Sequence, residues 1–150
     1  MQPSSYPDIV RRIRELAPFL DDTSAKAALS AFVGALGAML TRAEQATLAE
    51  ALPAEVAQIL RREEPWAQKD TPNVFRMVAA RRNVPVSQAI EQTIVVCRVL
   101  GEVLAPSARA RLIRCLPALG RLVQPAEDFA APPAHGARMA REPSDSTTSR

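Results

Sequence analysis

Apolar residues fall at helical spacing along most of the chain, and polar, capping or proline residues separate the runs. Ile9, Val10, Ile13, Leu16 and Ala17 form one face of a first helix, with Arg11, Arg12, Arg14 and Glu15 elsewhere on its circumference. Ser5 and Asp8 around Pro7 predict a capped start, because proline suits the first helical position. After the break "FLDDTS", Asp22 or Thr23 caps a second helix carrying Ala28, Leu29, Phe32, Val33, Leu36, Met39 and Leu40. Its other positions are mostly small, so it belongs in the middle of a bundle. Gly34 and Gly37 weaken such a helix, and a neighbouring backbone passing close is the better reason for them.

Thr41 and Glu44 form a capping box that opens a third helix with Leu48, Ala51 and Leu52. Pro53 restarts the chain as a short fourth helix with Val56, Ile59 and Leu60. The stretch "RREEPWAQKD", Arg61 to Asp70, has no apolar period and reads as a joint, with Trp66 covering the seam between two halves. Beyond it the programme recurs. Asp70 caps a helix near Pro72 with Val74, Phe75 and Val78 inside, and Ser87 opens a long helix with Ile90, Ile94, Cys97, Leu100 and Leu104 inside. Pro106 starts a helix carrying Leu112, Ile113 and Leu116, and Pro117 starts one carrying Leu119, Leu122 and Val123.

The recurrence is literal in places. "MLTRAEQATLAEALP", Met39 to Pro53, and "VLAPSARARLIRCLP", Val103 to Pro117, share Leu, Ala, Leu and Leu-Pro at matched places, 64 residues apart. Pro7 and Pro72 match at 65, so the slip falls in a loop, where length changes are tolerated. The expected fold is therefore all-α: two tandem, similar units of about four helices each in a compact bundle. Residues 1–66 make the first unit and 67–124 the second. Residues 125–150 lack an apolar period, are rich in Pro, Ser, Thr and small residues, and read as a disordered tail dispensable for folding.

The stretches "LTRAEQATLAEALPAEV", "LAPSARARLIRCLPALG" and "NVPVSQAIEQTI" resemble a bacterial all-helical family, domain of unknown function 2267, over about Tyr6 to Val123. The resemblance implies a duplicated helical unit. It implies no established activity and no catalytic residues.

Composition narrows the chemistry. Aromatics are 4% of 150 residues, so the core is aliphatic and Ala-rich, which favours helices over strands. The longest charge-free stretch, Ala27 to Thr41, is too short to span a membrane, and no basic start followed by an apolar run marks a secretory signal. A cytoplasmic location is the expectation. Cys97 and Cys115 stand in apolar helical surroundings and read as buried, reduced neighbours in the core. The single His, His135, lies in the tail, so no triad, no Cys-His pair and no metal set is legible, and no glycine-rich phosphate loop occurs. The pairs Asp21–Asp22 and Glu63–Glu64 fall at helix ends, where caps explain them. No catalytic, cofactor-binding or metal-binding residue is assigned, and a non-enzyme is expected.

Charge is uneven. Residues 1–66 hold seven basic and nine acidic residues, whereas 67–124 hold nine basic and three acidic. Arg76, Arg81, Arg82, Arg109, Arg111, Arg114 and Arg121 are the candidate basic face. Such a face suits an acidic protein partner, with nucleic acid as the alternative; a solvated arginine-rich surface needs no partner at all. No aromatic residues interleave the arginines for base stacking. The expected function is a non-catalytic interaction or scaffolding module that binds a protein through a helical face.

Overall fold

A computed structural model of the chain describes residues 5–65 and 74–115. These form helices α1 (Tyr6–Leu16), α2 (Asp22–Met39), α3 (Arg42–Ala49), α4 (Ala54–Arg62), α5 (Val74–Arg82), α6 (Val86–Val103) and α7 (Pro106–Cys115), with no strand among them. The joint around Trp66, the cap at Asp70, the helix expected from Pro117, Arg121 and the tail lie outside the described residues. None of the described helices is long and apolar enough to cross a membrane.

The long helix α2 is the hub: α1, α4, α5 and α6 all pack on it, α5 and α1 also pack on α6, and α3 packs on α4. Every residue from Ala31 to Leu40 is buried, as a helix with small or apolar residues on all sides requires. Phe32, Leu29, Leu36 and Met39 of α2 meet Ile9 and Ile13 of α1 and Leu60 of α4 in one continuous core. Val74 and Val78 of α5 and Val96, Cys97, Val99 and Leu100 of α6 extend it.

Local signals set the helix ends. The Ser5 hydroxyl accepts from the Asp8 backbone N–H, and Thr41 and Glu44 complete a reciprocal capping box. Two expected caps differ. Asp21, not Asp22 or Thr23, caps α2, its carboxylate accepting from the Ser24 N–H at 2.7 Å. Ser87 does not open α6; the helix starts at Val86 behind Pro85, whose fixed φ and missing N–H make it a start without a side-chain cap.

Ile94 is also misassigned by the sequence pattern: it is 39% exposed, and Ala89, Gln92, Thr93, Val96 and Cys97 face inward instead. Apolar residues on nearly every side of α6 leave its inner face undetermined by periodicity. A hydrogen bond from Arg82 Nε to Gln92 Oε1 at 3.0 Å satisfies the amide inside and lets the helix turn Ile94 outward.

Both α2 glycines face close neighbours, in two different ways. A Cβ on Gly37 would lie 2.7 Å from the Leu60 carbonyl oxygen of α4, which is the expected backbone approach. A Cβ on Gly34 would instead meet the Arg81 guanidinium at 2.5 Å. There the neighbour is a side-chain ion pair, with both Arg81 nitrogens 2.9 Å from the Glu63 carboxylate oxygens. This bidentate pair ties the end of α4 to α5 across α2.

Candidate docking cleft

The two matched stretches of sequence meet as the walls of a cleft. Leu40, Ala43, Glu44, Thr47 and Leu48 line it from the α3 side, and Ala108, Arg111, Leu112 and Arg114 from α7. Its volume is about 410 Å³. The floor is apolar because Leu40, Leu48, Ala108 and Leu112 are all buried, while Thr47, Arg111 and Arg114 stand exposed at the rim. Thr41 and Pro106 fix the two walls by starting α3 and α7.

The charge at the rim is one-sided. Glu44, the acidic lining residue, turns its carboxylate back to accept from the Thr41 N–H at 2.9 Å. Arg111 and Arg114 form no hydrogen bond or ion pair with any described residue. The cleft therefore combines an apolar floor with two uncommitted guanidinium groups, each offering a planar fork of donors suited to carboxylates.

The other candidate arginines do not join them. Arg81 is held by Glu63, which raises its pKa further through their hydrogen bonds. Arg82 is bonded to Gln92, and Arg109 donates through Nη1 to the Gly101 carbonyl at 2.9 Å. Arg76 is exposed on α5, away from the cleft lining. The arginine-rich second half thus divides into structural arginines and the Arg111–Arg114 pair, a division that counting charges in the sequence does not give.

Two polar anchors behind this architecture were silent in the sequence. Gln45, buried on α3, donates through Nε2 to the carbonyls of Gly37 (2.8 Å) and Glu63 (3.0 Å). Arg42 donates to the carbonyls of Arg61 (3.0 Å) and Glu63 (3.3 Å) and reaches the Glu64 carboxylate. Together they satisfy backbone oxygens left over at the end of α4. Gln45 reads as a surface residue in "RAEQATLAE", and only its place beneath α4 makes it an anchor.

Among the described residues no three His, Cys, Asp or Glu side chains gather to hold a metal ion. Cys97 is fully buried in α6, and burial pushes its thiol pKa well above the usual range. The side chain of Cys115 lies outside what the structure describes, so the expected pairing of the two thiols does as well.

The family described as "Uncharacterized conserved protein (DUF2267)" matches residues 6–123. The chain belongs to this family. The match takes in both walls of the cleft and stops before the tail, so the DUF2267 region and the helical bundle coincide over the described residues. No curated protein and no solved structure matches the chain.

Proposed function

We propose that this DUF2267 protein is a non-catalytic helical interaction module that binds an acidic segment of a protein partner in the cleft between α3 and α7. The observation that carries the reading is the pairing of a buried leucine floor with Arg111 and Arg114, which have no partner among the described residues. An apolar anchor of the partner fills the floor, and flanking carboxylates meet the two guanidiniums. Apolar burial supplies affinity, and the charged rim supplies orientation and a faster encounter.

The module is best read as two tandem copies of one helical unit. In support, Gln45 donates to the Gly37 carbonyl and Arg109 donates to the Gly101 carbonyl, and the members of both pairs stand 64 residues apart in the chain. On this reading the cleft lies where the equivalent helices α3 and α7 face each other. The side chains at equivalent rim places differ: Thr47 on one wall answers Arg111 on the other.

The test is affinity capture from host cells with the native chain and an Arg111→Glu/Arg114→Glu variant. Capture of an acidic partner should be lost in the double variant and kept in Arg76→Glu, which reverses an exposed charge outside the cleft. Equal capture by all three chains refutes the cleft. Salt-sensitive retention on DNA or RNA that the double variant loses would instead assign the arginines to phosphate contacts.

A further inference from the structure

We infer that the cleft between α3 and α7 is the docking site of this chain's own segment Glu127-Asp128-Phe129, which competes there with the partner. The inference rests on the reading of the cleft as a seat for an acidic, apolar-anchored segment. Three observations lead from the cleft to that segment.

The first is position. The described chain ends at Cys115, in the α7 wall itself, one residue beyond Arg114. Phe129 follows 14 residues later. An extended chain of that length spans about 45 Å, well beyond what is needed to return to its own helix.

The second is chemistry. Phe129 is the only aromatic residue after Phe75, and Glu127 and Asp128 precede it directly. A single apolar anchor beside two carboxylates is the complement of a leucine floor beside two arginines. The other acidic residues of the tail, Glu142 and Asp145, have no large apolar neighbour except Met139. Pro132 and Pro133 follow the anchor at once and disfavour continuing it as a helix, which suits a short extended ligand.

The third is concentration. A segment tethered by a short flexible linker experiences an effective concentration in the millimolar range, so even weak docking fills the cleft in the free protein. A partner then has to displace the segment, and its apparent affinity falls by the fraction of chains left open.

The test uses a labelled peptide of residues 124–135 added to full-length chains, with binding read by fluorescence anisotropy. The native chain should bind it at least about fivefold more weakly than a Phe129→Ala chain, whose cleft is vacated. A peptide carrying the same Phe129→Ala change should not bind, and Arg111→Glu/Arg114→Glu in the Phe129→Ala chain should abolish binding. Equal affinity for the native and Phe129→Ala chains, or binding that survives the arginine reversals, overturns the inference. So does a native chain that dimerises in sedimentation while the Phe129→Ala chain does not, because the tail would then serve a second copy. Partner capture lost in the arginine double variant, together with equal peptide affinities, would leave the interaction module standing and remove only the internal competitor.

Discussion

Gly34 and Gly37 lie one helical turn apart on α2 and carry opposite consequences. At Gly37 an added Cβ meets the Leu60 carbonyl at 2.7 Å, and a main-chain atom in a packed helix cannot step aside. Gly37→Ala should therefore destabilise by about 1–3 kcal/mol despite alanine's better helix propensity. At Gly34 the obstacle is the end of the Arg81 side chain, which can swing into solvent and give up its pair with Glu63. A partly exposed pair contributes little, so Gly34→Ala should stay within about 1 kcal/mol of the native chain. Urea denaturation of the two variants checks both. A Gly37→Ala chain as stable as the native one would mean that α2 and α4 are not in close contact. The sequence marks both glycines as tight places, but it does not say which neighbour is rigid.

At the scale of the helices, α5 ends in a motif the hydrophobic pattern does not announce. Asn83 has φ +58°, with its N–H donating to the Ala80 carbonyl and the Val84 N–H donating to that of Ala79. This is a Schellman ending with asparagine in the left-handed place. Asn83→Ala should cost about 1 kcal/mol by thermal denaturation, whereas Asn83→Gly should be neutral or stabilising. The start of α2 gives a pH dependence. Hydrogen bonding from the Ser24 N–H holds the exposed Asp21 carboxyl below its ordinary value of 3.8. A lowered folded-state pKa means that the cap contributes fully above 3.8 and is lost as pH falls below it. Asp21→Asn cannot titrate, so its stability difference from the native chain should shift in its favour between pH 6 and pH 3. A constant difference across that range, read by urea denaturation, would contradict the assignment of Asp21 as the cap.

Across the whole molecule, Cys97 reports on cooperative opening. It is fully buried in the core, and its thiol is held well above the usual range by burial alone. Labelling mapped by mass spectrometry should leave Cys97 unreacted in the native chain and modify it rapidly in denaturant. Rapid native labelling would show that α6 opens locally. The sequence by itself determined the all-helical class, most helix starts and the central place of α2. These follow from local rules: proline and Ser/Thr/Asp caps set ends, and a helix without a polar face has to be covered. Only the tertiary structure decided that Ile94 faces out while Gln92 faces in, because α6 is apolar on too many sides for periodicity to choose. It also decided that Gln45 anchors α4, since a polar residue becomes an anchor only when carbonyls from elsewhere arrive beside it. The cleft was half legible. Its walls are the two stretches that the chain repeats, and its leucines were visible as core. Which arginines stay uncommitted depended on Glu63, Gln92 and the Gly101 carbonyl reaching three of the others through space, and no spacing along the chain encodes those meetings.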